Sequence, residues 1–222
     1  MKRHVLLVTG GDPPHPLALD GLDEFDLIVC ADSGLDHALG LGLRPDVVIG
    51  DMDSVGNDAL ETARRLGASI MEAPRDKDLT DTELAIAHAV EHGTTSLTIL
   101  AGGGDRIDHV LGIVSAASHP SLAALERVNV RLGLDLMHIV HGGRAVSLAL
   151  PIGTTLSLIP LAGHAHGVTA SGLRWPLRNE TLHGSAARGV SNECSHPEVA
   201  VAVDSGVVAV VIPRHFSETE SA

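Results

Sequence analysis

The sequence predicts a two-part α/β architecture: an amino-terminal domain built on a parallel sheet, followed by an antiparallel β-sandwich. Three observations predict it. Short apolar β-like runs alternate with helix-like segments through residues 1–134, which is the pattern of βαβ units. Through residues 135–222 the runs are β-like throughout, broken by Gly, Pro and Asn, with no helix-length pattern between them. Carboxylates gather just beyond the apolar runs of the first part, where the carboxyl edge of an open α/β sheet places its chemistry.

HVLLVT (4–9) reads as the first strand, ended by Gly10. LALDGLDEF (17–25) reads as helix-like, LIVCA (27–31) as a strand, GLDHALGLG (34–42) as a helix and VVIG (47–50) as a strand. NDALETARRLG (57–67) is helical and ASIMEA (68–73) β-like. In DTELAIAHAVEHG (81–93) Leu84, Ala85, Ala87, Ala89 and Val90 form a broad apolar stripe, with Asp81 at the N-cap and Gly93 at the stop. SLTILAG (96–102) is a strand and DHVLGIVSAAS (108–118) a helix, completing a Rossmann-like domain. The texture changes between Gly133 and Met137. LMHIVH (136–141), RAVSLAL (144–150), TTLSLIP (154–160), GVTAS (167–171), VAVAVDS (199–205) and VVAVVIP (207–213) then supply the strands of the sandwich, and the closing SETESA reads as frayed.

Composition narrows the function. Of 222 residues 44% are hydrophobic, enough for a packed core. Lys+Arg number 15 against 28 Asp+Glu, a formal charge of -13, which disfavours a broad nucleic-acid or anionic-membrane surface. An anionic substrate then needs a metal or a local Arg. Cys30 and Cys194 are too few for a disulfide framework and read as buried thiols. The amino terminus carries no secretory pattern and no run reaches the ~18 apolar residues of a membrane span, so the cytoplasm is expected. Aromatics are limited to Phe25, Phe216 and Trp175, which makes Trp175 conspicuous in an aliphatic core.

Asp32 follows LIVCA, Asp51 and Asp53 follow VVIG, Asp76, Asp78 and Asp81 follow ASIMEA, and Asp105 and Asp108 follow SLTILAGGG. On one sheet edge these acids repel one another unless a cation joins them, and an oxygen-liganded Mg²⁺ bound with a polyphosphate is the economical answer. In RPDVVIGDMDSV, two acids at i and i+2 beyond a strand can share one hydrated ion; a solvated acidic turn is the plain alternative. In DKDLTDTEL, Thr80 and Asp81 cap a helix, and Thr80 with the helix amides can also face phosphate oxygens. In AGGGDRIDH the glycines allow close approach to a ligand, Arg106 offers a fork of donors to phosphate, and Asp108 returns to the metal side. His109 either orients phosphate or caps the next helix. No GxxxxGK[ST] occurs, so this is not a P-loop. His164 and His166 form an HxH without a nearby Cys or acid to complete a zinc set. Ser191, Asn192 and Glu193, with Trp175, would suit a heterocyclic ligand, although a lone Trp is commonly core filler.

Taken in order, ADSG (31–34), PDVVIGDMDS (45–54), DLTDTELAI (78–86), GGGDRIDH (102–109), LRWPL (173–177) and GVSNE (189–193) resemble the thiamin pyrophosphokinase family over nearly the whole chain. The resemblance implies a nucleotide- and Mg²⁺-binding catalytic domain at 1–134, a thiamin-binding β-sandwich at 135–222, and a homodimer with active sites at the subunit interface. It implies that Asp51, Asp53, Asp81 and Asp108 hold Mg²⁺, that Thr80 and Arg106 hold the ATP phosphates, and that Trp175, Ser191 and Asn192 contact the vitamin. Asp32 or Asp78 would orient the hydroxyl or a metal water. Ser33 stands where the family commonly has Gly and would crowd the nucleotide or bond to it. The implied reaction is attack of the thiamin hydroxyl on the β-phosphorus of ATP, releasing AMP and transferring the diphosphoryl unit whole. A pterin alcohol is an alternative acceptor. A haloacid-dehalogenase-type phosphatase with Asp51 as nucleophile is a second alternative, because VVIGDMDSV resembles its strand and DxDx[TV]. A binding-only sensor is a third.

Overall fold

The computed structural model describes residues 2–74, 78–104 and 106–214, and the chain divides into two compact units, Met1–Gly133 and Leu134–Ala222. The first unit runs β1 (His4–Val8), β2 (Leu27–Ala31), α1 (Gly34–Gly40), β3 (Val47–Gly50), α2 (Asn57–Leu66), β4 (Ser69–Glu72), α3 (Asp81–Glu91), β5 (Ser96–Ala101), α4 (Ile107–Ala117) and β6 (Arg127–Leu132). Its strands are all parallel, in the order β4-β3-β2-β1-β5-β6. The chain therefore moves outward from β1 to β4 and resumes on the other side of β1 with β5. Loops leaving β1 and β5 diverge at that point, which is where open α/β sheets form a ligand crevice.

The central strands are buried along their length because helices cover both faces. Leu6 and Val8 join Leu35 and Ala38 of α1 and Ala59 and Ala63 of α2 in one cluster. Side chains alternate along a strand, so Val5 and Leu7 point to the opposite face, and they are fully buried there. Each such Leu contributes about 1.5–3 kcal/mol by its burial. Helix α2 stops at Gly67, whose φ of 89° is the left-handed C-cap conformation. Helix α3 begins with a capping box on Thr80, so Asp81 is its first residue rather than the expected N-cap.

Three expectations fail locally. LALDGLDEF forms only a short 3₁₀ turn at Pro16–Leu19, where the His15 ring accepts from the Leu17 N–H; Gly21 then takes a φ of 73°. Strand β6 was not expected from RVNVRL, whose Asn129 and Arg131 mask the apolar alternation although both are buried. TTLSLIP and GVTAS belong to one strand.

The second unit contains β7 (Asp135–His141), β8 (Arg144–Ala149), β9 (Thr155–Ser171), β10 (Leu177–Leu182), β11 (Asn192–Glu193), β12 (Glu198–Val203) and β13 (Ser205–Ile212), all paired antiparallel. The long β9 pairs with β13 through its first part and with β12 through Thr169–Ser171. Between these stretches Ala162 and Gly163 take φ of 53° and 123°, and the register with β13 shifts. One strand thus pairs in two sets, β7-β13-β9 and β9-β12-β8. Leu156, Leu158, Val208 and Val210 share a single core with Val168, Ala170, Val199 and Val201. Strands β10 and β11 were not anticipated, being short and rich in Arg, Asn and Glu. Both cysteines are free and buried, and burial pushes the Cys30 thiol up to about 12. The SETESA tail lies outside the described residues. Among the described residues no helix is long and apolar enough to cross a membrane.

Candidate active site

The end of β2 carries Asp32, whose φ of 48° turns the chain sharply into α1. Its N–H donates to the Ile49 carbonyl at 2.8 Å, which ties the ends of β2 and β3 together. A Cβ on Gly50 would lie 3.0 Å from Asp32 Cβ and 3.1 Å from its Cα, so glycine is what allows β3 to end against this residue. Beyond Gly50 the Asp53 N–H donates to Asp51 Oδ1 at 3.1 Å, a local turn that holds the two acids on one side. The Gly56 N–H donates to Asp36 Oδ2 at 3.2 Å and fixes the loop to α1.

As a result Asp32, Asp51 and Asp53 each offer an oxygen within 4.8 Å of one another, the one such three-residue group among the described residues. Ser54 donates its hydroxyl to Asp32 Oδ2, while Asp32 Oδ1 is buried and has no hydrogen-bond partner. Burial raises the pKa of Asp32. The Ser54 hydroxyl and the Ser33 N–H oppose the rise, and the charges of Asp81 and Asp51 reinforce it. Three hard oxygen donors with one orphaned buried oxygen fit a divalent cation such as Mg²⁺.

Asp32 also borders a cavity of about 290 Å³ at the carboxyl edge of the sheet, shared with Thr9, Ser33, Thr80, Asp81, Asp108 and His109. Thr80 accepts from the Glu83 N–H at 3.2 Å, and Glu83 Oε2 accepts from the Thr80 N–H and hydroxyl, each at 2.8 Å. Asp108 stands in the first turn of α4, and Arg106 grips it with Nε at 3.0 Å and a second nitrogen at 2.6 Å. That bidentate bond holds the Asp108 carboxyl well below the usual carboxylate range. Ser33 occupies the cap position of α1 in helical conformation without a capping bond, and its hydroxyl lies close over Gly10. His37 bonds the Gly11 carbonyl at 2.9 Å and steadies the same loop.

Most of the expected acids thus converge. Asp32, Asp51 and Asp53 form the tight group, Asp81 and Asp108 line the adjoining cavity, and Arg106 is beside Asp108. Asp78 is exposed and does not line the cavity. Asp76 and Asp105 lie outside the described residues. The glycines of GGGD also serve packing between loops. Gly102 and Gly104 pack on Asp12, whose carbonyl and carboxylate occupy the space a Cβ would need, so they close the loops after β1 and β5 on each other. Asp12, Gly11 and Ser54 are site residues that the sequence reading does not single out. TGGD repeats the pattern of an apolar run followed by glycine and acid, and Ser54 directly follows the acidic pair.

In the second unit Trp175 is 55% exposed, with the Arg174 guanidinium 4.9 Å from its ring centroid. Asn192 is buried. Its Oδ1 accepts from the Trp175 N–H at 3.2 Å and its Nδ2 donates to the Trp175 carbonyl at 2.8 Å. Ser191 is exposed, takes a φ of 58° and donates its N–H to Ser157 Oγ at 3.0 Å. Among the described residues, His164 and His166 belong to no group of candidate metal ligands; His164 Nδ1 accepts from the Gly184 N–H at 3.1 Å and its ring meets His183 edge-on at 4.9 Å.

Residues 20–128 match the family model for the thiamin pyrophosphokinase catalytic domain, and residues 143–208 match that for its vitamin B1 binding domain, together well over half of the chain. Thiamine pyrophosphokinase 1 of Oryza sativa subsp. japonica is 24% identical over 219 residues, covering 87% of this chain and 81% of that protein. The fold is shared with the crystal structure of thiamine pyrophosphokinase from Bacillus subtilis, at a TM-score of 0.81 and 21% identity over 96% of this chain and 100% of that one. A thiamin pyrophosphokinase family protein from Enterococcus faecalis superposes with a TM-score of 0.77 at 25% identity, covering 96% and 100%. With both of its domain models matched in order along one polypeptide, the chain belongs to the thiamin pyrophosphokinase family.

Proposed function

We infer that this chain transfers the β,γ-diphosphoryl group of ATP to the hydroxyl of thiamin, giving thiamin diphosphate and AMP. The observation that carries the reading is the gathering of Asp32, Asp51 and Asp53 beside a cavity walled by Thr80, Asp81 and Asp108 on the carboxyl edge of a parallel sheet. Family membership favours thiamin over a pterin alcohol, and diphosphotransfer over hydrolysis through Asp51.

In this reading Asp51 and Asp53, with Asp32 beside them and Asp81 and Asp108 completing the acidic wall, hold Mg²⁺. When bound, the ion supplies charge neutralisation on the phosphate oxygens. The side chains around it do the positioning on which phosphoryl transfer depends. Arg106 exchanges its bond to Asp108 for one to the phosphates. Thr80 offers its hydroxyl and Ser33 a further one to the nucleotide, and His109 stands at the cavity wall beside them. Asp32 or Asp78 orients the attacking hydroxyl or a metal water. Trp175 gives the vitamin a flat wall, Ser191 a polar contact, and Asn192 fixes the backbone of Trp175.

The nucleotide and metal functions are assigned to residues 1–134 and the vitamin to 135–222. A homodimer with active sites at the subunit interface is part of the same reading, as is a cytoplasmic setting, where ATP is available and free thiols persist. The acidic surface of a chain with net charge -13 favours the approach of cationic thiamin.

The test is incubation with Mg²⁺-ATP and thiamin, in parallel with a pterin alcohol, with chromatography of the products. Equal amounts of AMP and thiamin diphosphate are expected. AMP formed only with the pterin would replace the acceptor, and orthophosphate without AMP would overturn diphosphotransfer.

A further inference from the structure

Helix α3 borders a second cavity, of about 240 Å³, that the reaction does not use. Its apolar lining comes from Leu79, Ile86, Val90 and Ala116, of which Ile86 and Ala116 are buried and Leu79 is 46% exposed. Among the described residues, the titratable groups that border it are Glu83, Glu91 and His119, without a Lys or Arg. Eight residues apart on one helix, these acids stand roughly 12 Å apart along its axis at ~1.5 Å per residue. An apolar pocket with a few convergent polar groups is the usual form of a small-molecule site. Among the described residues, two carboxylates and one imidazole border it, a balance that favours a cation and disfavours an anion.

We propose that this cavity is a regulatory site for a small organic cation with an apolar body, coupled through Glu83 to the nucleotide cavity. The coupling rests on the reading of the larger cavity as the Mg²⁺-ATP site. Glu83 borders the smaller cavity, and the same carboxylate holds the N–H and hydroxyl of Thr80, each at 2.8 Å. Thr80 in turn lines the larger cavity. A cation seated against Glu83 competes for that carboxylate, loosens the capping box and withdraws the fixed geometry of Thr80 and Asp81. Mg²⁺-ATP then binds less well, and by linkage it weakens the cation equally.

The test uses the full chain and benzyltrimethylammonium as probe, with benzyl alcohol as its neutral counterpart, in calorimetric titrations with and without Mg²⁺-ATP. The cation is expected to bind at one site, at least tenfold more tightly than benzyl alcohol. Glu91→Gln, a surface change outside the reaction machinery, should weaken it about tenfold and leave basal turnover unchanged. Ala87→Phe, which fills the cavity from α3, should abolish binding; melting temperatures show whether either variant is folded. At saturating cation the affinity for Mg²⁺-ATP should fall severalfold in the parent chain and stay constant in both variants. Absence of cation binding, or binding indifferent to both variants because the probe sits among other acids, would overturn the site. Binding that leaves the Mg²⁺-ATP affinity unchanged would overturn the coupling. Both readouts are independent of product formation, so a chain that binds the probe as expected yet makes no thiamin diphosphate would count against the reaction and not against this site.

Discussion

Ser54 donates its hydroxyl to Asp32 Oδ2 across the gap between the ends of β3 and β2. The bond joins the acidic turn after β3 to a carboxylate whose other oxygen is buried without a partner. It therefore orients the most desolvated acid of the group. Hydrogen bonds to charged groups contribute about 1.5–3 kcal/mol, and the exposure of Ser54 places this one at the low end. Ser54→Ala should weaken the apparent affinity for Mg²⁺ about tenfold with little change in melting temperature. A titration of turnover against Mg²⁺ checks it, and an unchanged midpoint would show that Asp32 needs no such support.

Asp53 reaches the group from a turn that its own N–H makes with Asp51 Oδ1. Replacing its side chain removes a donor from a set of three while sparing that turn, because the bond uses the backbone. Asp53→Ala should lose turnover by several orders of magnitude and remain folded. Chelation of divalent cations should silence the parent chain, and added Mg²⁺ should restore it. Near-normal activity in Asp53→Ala would remove the proposed metal site.

Arg106 and Asp108 neutralise each other through two bonds on an exposed turn. Binding a triphosphate asks Arg106 to exchange one oxyanion partner for another, a change its planar fork makes without loss of hydrogen bonds. Arg106→Ala should lower kcat/KM for ATP about a hundredfold, and Arg106→Lys should recover only a small part because an ammonium cannot form the paired contact. Steady-state kinetics with ATP as the varied substrate decide the point. Full recovery by Lys would reduce the role of Arg106 to that of a point charge.

The parallel sheet was legible because its apolar runs are short, continuous and separated by helix-period segments. Strand β6 was hidden because Asn129 and Arg131 are buried polar residues that pattern reading assigns to the surface. The long β9 looked like two strands since Ala162 and Gly163, in positive φ, interrupt a run that the backbone nevertheless continues. In the site, the i, i+2 spacing of Asp51 and Asp53 beyond β3 is legible, and the structure brings the two acids together. That Asp32 joins them depends on the contact of Gly50 with Asp32, a relation between strands with no local signature. The same holds for Asp12, which meets the Gly102–Gly104 loop some 90 residues later in the chain. The bonds of the Asn192 amide to the Trp175 backbone likewise join residues 17 positions apart, with no local signature in the sequence.

Burial raises the pKa of Asp32, so ionising it costs the folded state more than the unfolded one. The sign is opposite to that of a salt-bridged carboxylate. With the folded pKa above the unfolded value, the native chain binds more protons in the window between them, and stability falls as pH rises through it. Where Asp32 is ionised it is thus a charge the fold holds at a cost, which a bound cation would offset. Asp32→Asn should accordingly raise the melting temperature at pH 7. The gain should shrink as pH falls toward the ordinary Asp range, because the parent carboxyl then becomes neutral as well. Turnover should be lost in the variant at every pH. Mg²⁺ should stabilise the parent chain and leave Asp32→Asn nearly unmoved. Thermal melts across pH, with and without Mg²⁺, test all of these outcomes together. A variant melting below the parent at pH 7 would show that the Ser54 and Ser33 bonds outweigh the desolvation of Asp32, and would locate the cost of the acidic group in Asp51 and Asp53 instead.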